Sequence, residues 1–117
     1  MVDAVSPFFI VRDLDRALAF YRDVLGFEVT FASGGFFAIV RRGGVQFLLK
    51  SVGVDAQPNR TRHADARWDA FVHVADPDAL AAELSTQDVV PIDTDDGLRG
   101  FELVDADGYV LFFGRPR

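Results

Sequence analysis

The sequence contains no cysteine. That one absence excludes a disulfide framework, a thiolate metal site and a thiol nucleophile, and it permits a reducing compartment without requiring one. Long apolar runs are missing as well. Val5 to Val11 is broken by Ser6 and Pro7, and Phe36 to Val40 is shorter still, whereas a helix that spans a bilayer needs ~20 apolar residues. No basic segment followed by an apolar stretch stands behind Met1, so neither a membrane span nor an export signal is expected and the chain reads as cytoplasmic. Positive charge is the minority, with Lys+Arg 12 against Asp+Glu 18 and a formal net charge of −6. Affinity for nucleic acid rests on clustered Lys and Arg, so the charge argues against nucleic acid as a partner and favours a neutral or cationic small molecule.

Methionine (1), tryptophan (1) and tyrosine (2) are scarce, yet there are 12 phenylalanines in 117 residues. A chain of this length makes a single domain that buries roughly two-thirds of its unfolded surface. Such a core does not require so many phenylalanines, and part of the surplus is expected to line something.

The sequence repeats once. Ser6-Pro7-Phe8-Phe9-Ile10-Val11-Arg12-Asp13-Leu14-Asp15 aligns with Asp69-Ala70-Phe71-Val72-His73-Val74-Ala75-Asp76-Pro77-Asp78, and Gly44-Val45-Gln46-Phe47-Leu48-Leu49 aligns with Gly108-Tyr109-Val110-Leu111-Phe112-Phe113. Repetition at this scale means two similar modules. Each opens with a short apolar strand ending at an aspartate placed to cap a helix. Asp13 precedes Leu14, Ala17, Leu18, Tyr21, Val24 and Leu25, one stripe of an α-helix, and Gly26 stands at its C-terminal cap. Asp76 is the second N-cap, with Pro77 in the first helical position and a stripe of Leu80, Ala81 and Leu84.

After each helix the pattern changes to period two. Phe27 to Ala32, Phe36 to Arg41 and Val45 to Lys50 read as strands joined through Ser33-Gly34-Gly35 and Gly43-Gly44. Val89 to Ile92, Leu98 to Val104 and Tyr109 to Gly114 repeat the pattern, with Asp105-Ala106-Asp107-Gly108 as a tight turn. Residues 51–67 are polar and aperiodic, a linker able to fold over a site as a lid. The expected architecture is α+β, one domain over 1–117 with two tandem βαβββ modules, about 5–50 and about 68–114, forming a curled mixed sheet. Each module carries its helix on one face, and the other faces would curl into a cup, a ligand site by default.

Val11-Arg12-Asp13-Leu14 running into Ala19-Phe20-Tyr21-Arg22-Asp23-Val24-Leu25-Gly26-Phe27, together with Asp105-Ala106-Asp107-Gly108-Tyr109, is similar to the vicinal oxygen chelate superfamily. That group includes glyoxalase I, bleomycin-resistance proteins, extradiol dioxygenases and fosfomycin-resistance proteins. The resemblance runs from Ser6 to about Pro116. It implies the fold, but activity has to be argued from the site. Members that use a metal carry one His, Glu or Gln ligand on each of four strands, and the corresponding positions here hold Ser6, Leu48, Asp69 and Phe112. A divalent ion needs three or four donors at about 2 to 2.5 Å. Leu48 and Phe112 donate nothing, and a two-residue shift brings in only Gln46 opposite Asp69. No metal ligands and no cofactor are therefore expected.

What remains resembles the bleomycin-resistance type of member, which implies a homodimer that sequesters a planar, often cationic drug without changing it. Strand parity places Phe8, Ile10, Leu48, Phe71 and Phe112 on the cup side and Phe9, Val11, Phe47, Val72 and Phe113 under the helices. With Gln46, Trp68, Asp69 and His73, the first set is the candidate ligand site, because aromatic walls suit a flat ligand. Asp69 and His73 are also the candidate catalytic pair of an alternative reading, a lyase, isomerase or dioxygenase-type enzyme. Within one strand they stand roughly 13 Å apart, so such chemistry would need Gln46, Glu102 or a second subunit. Each has a bland counterpart: His73 solvated at the rim, Asp69 exposed beside the linker. A third reading has the cup plugged by Phe8, Phe71 and Phe112. Arg41-Arg42 and Arg60-Thr61-Arg62-His63 read as solvated loop charge, with Arg60, Arg62 or Trp68 as gate residues if the linker closes. Asp93-Thr94-Asp95-Asp96 lacks the spacing of a calcium loop and reads as an exposed turn.

Overall fold

Asp13 and Asp76 end extended segments and start helices as the sequence requires. The side chain of Asp13 accepts from the Arg16 backbone N–H at 3.2 Å, and that of Asp76 from Ala79 N–H at 3.0 Å. In the computed structural model, which describes residues 1–117, these caps recur in two compact units, Met1–Gln57 and Pro58–Arg117.

In the first unit β1 (Phe8–Ile10) leads into α1 (Leu14–Ala19), followed by β2 (Glu28–Ser33), β3 (Phe37–Arg42) and β4 (Val45–Lys50). The strand order is β1-β4-β3-β2, with β1 parallel to β4 and the other pairs antiparallel. One face is buried by α1: Phe9, Val11, Val40, Phe47 and Leu49 lie beneath it with Leu14 and Ala17. Tyr21, Phe27 and Phe47 form a knot of rings with centroids 5.4 to 5.8 Å apart.

Two departures from the expected pattern have local causes. The stripe from Leu14 to Leu25 predicts one α-helix, but the chain widens into a π-helical turn over Phe20–Val24, where Leu25 N–H donates to Phe20 O at 3.1 Å. Gly26, at φ +73°, ends it, and Arg42 donates to the freed Leu25 carbonyl at 2.8 Å. In β2 the pairing slips between Val29 and Phe31, so Val29 faces Val40 while Phe31 faces Ile39. This bulge turns Phe31 to the open face, where it is 51% exposed.

The second unit repeats the order: β5 (Ala70–His73), α2 (Pro77–Glu83), β6 (Ile92–Asp93), β7 (Leu98–Val104) and β8 (Val110–Pro116), arranged β5-β8-β7-β6. Val72, Phe101, Leu103, Leu111 and Phe113 are buried on the α2 side with Ala81 and Leu84. The Asp105 carboxylate closes the β7–β8 turn by accepting from the N–H groups of Asp107 and Tyr109, both at 2.9 Å. β6 is shorter than the expected Val89 to Ile92 because Pro91 supplies no donor; only Ile92 and Asp93 pair, with Gly100 and Arg99.

The aperiodic segment after β4 is not uniformly a linker. The boundary between the units falls at Gln57/Pro58, and Asn59–Thr61 forms a helical turn whose first residue is bonded into the second unit, Asn59 N–H to Asp69 Oδ1 at 2.7 Å and Asn59 Nδ2 to Trp68 O at 3.0 Å. No helix is long and apolar enough to cross a membrane.

Candidate functional site

The open face of the second sheet is built from a pair of glycines upward. Gly100 and Gly114 are opposite one another in β7 and β8. A Cβ on Gly100 would stand 2.7 Å from Phe112 Cε2, and one on Gly114 would run into the same ring. The missing side chains let the Phe112 ring lie down on the strands. Glu102 is its cross-strand neighbour on one side and Phe71 on the other.

Trp68 covers this ring. The two centroids are 4.3 Å apart with 27° between the planes, and the indole Nε1–H donates to Glu102 Oε2 at 2.8 Å. Phe71 stacks beside Phe112 at 5.4 Å, and His73 follows Phe71 at 4.7 Å. Above Trp68 the Arg67 guanidinium lies 4.6 Å from the ring centroid, within cation–π range. The order outward is therefore glycine floor, Phe112, Trp68, Arg67. Phe112 is fully buried, Trp68 and Phe71 are half-buried, and His73 and Glu102 are exposed.

Each residue expected at the site has a definite place. Asp69 is half-buried, and both oxygens of its carboxylate accept hydrogen bonds: Oδ1 from Asn59 N–H at 2.7 Å and Oδ2 from Val110 N–H at 2.8 Å. It ties the start of the second unit to β8. In the first unit Phe8 is exposed, Ile10, Gln46 and Leu48 are half-buried, and Phe8 pairs with Leu48. Gln46 Nε2 donates to Ser6 Oγ at 3.1 Å, which holds the amide of Gln46 against the start of the first unit. Phe31 and Phe36 are also exposed there, with Lys50 Nζ 5.8 Å from the Phe36 ring. Sequence parity does not place either of them at the site; the bulge that turns Phe31 has no signature in the sequence.

The residues at the family's metal positions do not fit a metal. Ser6 and Gln46 are bonded to each other, Leu48 and Phe112 have no donor atoms, and both oxygens of Asp69 accept from backbone amides. No three His, Asp or Glu side chains stand together as a ligand group.

The turn from Asp93 to Asp96 is more than exposed loop. With Arg67 and Ile92 it lines a cleft of about 430 Å³. Thr94 is buried, exchanges hydrogen bonds with Leu98, and bonds through its hydroxyl to Asp96. That hydroxyl holds the Asp96 carboxyl below its ordinary range, helped by Arg67, whose guanidinium is 3.9 Å away. The sequence could not disclose this cleft, because its two sides come from segments far apart in the chain.

A family model described as the Glyoxalase/Bleomycin resistance protein/Dioxygenase superfamily matches residues 3–111. Among solved structures, the fold is similar to the bleomycin-binding protein from bleomycin-producing Streptomyces verticillus complexed with copper(II)-bleomycin, at 24% identity over 100% of both chains and a TM-score of 0.74. It is similar too to a bleomycin-binding protein complexed with bleomycin (20% identity, 99% of this chain and 100% of that one, TM-score 0.77) and to lactoylglutathione lyase from Agrobacterium tumefaciens (20%, 97% and 94%, 0.66). No curated protein sequence matches the chain.

Proposed function

Because the chain belongs to the Glyoxalase/Bleomycin resistance protein/Dioxygenase superfamily, we propose that it acts as its bleomycin-binding relatives do by their names, as a binding protein for a small molecule. The ligand in this reading is flat and apolar or cationic, is held without a metal and is released unchanged, in the manner of antibiotic resistance by sequestration. The observation that carries the reading is the stack of Trp68 on Phe112, flanked by Phe71 and His73. Rings stacked at 27°, with the indole N–H anchored to a carboxylate, make a platform on which another flat group gains dispersion and burial together. The net charge of −6 favours a cationic ligand.

Metal independence is supported by the donor set, since an ion would find no donor at Leu48 or Phe112. For the enzyme alternative, Asp69 has a structural role that needs no chemistry, since its oxygens accept from the backbone amides of Asn59 and Val110. We propose further that the protein is a cytoplasmic homodimer. The exposed Phe8, Phe31 and Phe36 of the first unit are apolar surface of the kind that partners cover.

Trp68 is the single tryptophan, so its emission reports on the site. Titration with bleomycin and a panel of flat aromatic cations should quench it at a stoichiometry of one ligand per site, unchanged by prior treatment with a chelator. Chromatography should return the ligand intact. A chemically altered ligand, or binding that disappears with the chelator, would overturn the reading. Sedimentation equilibrium tests the dimer.

A further inference from the structure

Arg67 occupies a position that a ligand's cation would want. Its guanidinium covers the outer face of Trp68 at 4.6 Å and faces the Asp96 carboxylate at 3.9 Å. It also forms one wall of the cleft completed by Ile92, Asp93, Thr94, Asp95 and Asp96. These features together make a place for a flat cation: a π face beneath, a carboxylate at the edge, and room of about 430 Å³ alongside.

Arg67 is also held loosely. Its side chain is 53% exposed, as is most of that of Asp96 at 60%, and exposed pairs at this distance stabilise little. By contrast the indole below is fixed by its bond to Glu102 and its contact with a buried ring. The platform is thus firm and its cover is not.

Resting on the binding reading above, we propose that Arg67 is a built-in stand-in for the ligand's cationic group. A flat aromatic cation displaces the guanidinium from Trp68, stacks on the freed indole face, and sets its charge against Asp96 in the cleft. Arg67 therefore competes with the ligand and sets a threshold that weakly stacking or uncharged compounds fail to pass. An anionic ligand would meet three aspartates and is excluded.

The test compares the wild-type protein with Arg67→Ala and Arg67→Gln, using 9-aminoacridine as a flat cation and acridine as its neutral counterpart near neutral pH, read by Trp68 emission and by calorimetry. Loss of a competing cation–π contact and an exposed ion pair corresponds to roughly five-fold tighter binding of 9-aminoacridine by Arg67→Ala. Arg67→Gln, which keeps bulk but no charge, should fall between. Adding Asp96→Asn to Arg67→Ala should weaken 9-aminoacridine several-fold and leave acridine unchanged. Thermal unfolding of each variant establishes that it is folded. Binding by the wild type that Arg67→Ala fails to tighten, or an Asp96→Asn effect equal for both probes, overturns this inference alone. Absence of binding in every variant overturns it together with the reading on which it rests.

Discussion

Trp68 and Phe112 are stacked 4.3 Å apart although they come from segments more than forty positions apart in sequence, and the indole is tethered by its N–H to Glu102, the cross-strand partner of Phe112. Glu102 therefore fixes the orientation of Trp68 without touching its ring face. Glu102→Ala should release the indole edge. We expect greater quenching of Trp68 by acrylamide, lower emission anisotropy, and a stability loss of about 1 kcal/mol or less, since Glu102 is exposed. Unchanged quenching would show that stacking alone holds the indole.

The glycine floor makes a second prediction. Gly114→Ala puts a methyl group into Phe112 and within 2.7 Å of the Arg99 carbonyl. Neither neighbour can yield easily, as one is a buried ring and the other is strand backbone. Overpacking of this kind costs about 1–3 kcal/mol, and here it should also tilt Phe112 against Trp68. Lower stability with an altered near-ultraviolet circular dichroism signal is the expected result. Gly97→Ala is the control: it meets no atom, but its φ of +90° strains the backbone, so it should reduce stability without disturbing the tryptophan signal.

Much of this arrangement is legible in the sequence, and the boundary is physical. Parity along β5 and β8 correctly separates Val72 and Phe113, under α2, from Phe71 and Phe112 on the other face. Capping chemistry locates both helices because Asp13 and Asp76 act within three residues of themselves. Parity cannot say that Phe112 is sealed under Trp68, since that depends on a residue preceding β5 folding back over the sheet. Nor can it foresee the bulge at Thr30 or the π turn at Phe20–Val24. The cleft beside Arg67 is illegible for the same reason: its carboxylates read as a solvated turn until Arg67 closes one side.

Asp69 offers a discriminating substitution, because a catalytic acid and a structural acceptor respond differently. Its two oxygens each receive a backbone N–H, from Asn59 and Val110. Asp69→Ala leaves both donors without their acceptor, at a cost of about 1–3 kcal/mol each when they are not rehydrated. Asp69→Asn retains one acceptor and should lose less. Hydrogen exchange at Asn59 and Val110 should accelerate in both variants. A residue engaged in chemistry would instead show its effect on ligand turnover with stability unchanged.

The pH dependence of stability should carry the mark of Asp78 and Arg99. Arg99 grips both carboxylate oxygens of Asp78, at 2.6 and 3.2 Å, and tethers α2 to β7. Hydrogen bonding from Arg99 pulls the Asp78 carboxyl below its ordinary value of 3.8, and Asp78 raises Arg99 in return. A carboxyl depressed in the folded state binds fewer protons there than in the unfolded chain. Its stabilisation is therefore fully present above the ordinary value and is lost as pH falls through the lower, folded one. Arg99 stays charged throughout that range and contributes no acid transition of its own. Asp78→Asn should consequently be less stable than the wild type at neutral pH by an amount independent of pH, and the gap should close only on acidification below about pH 4. Both groups reach solvent, so added salt should narrow the neutral-pH gap. Calorimetric melting of the two proteins from about pH 7 to about pH 3 checks this; a gap that persists at the acid end would mean that Asp78 acts as a neutral hydrogen-bond acceptor for Arg99 and not as its counter-charge.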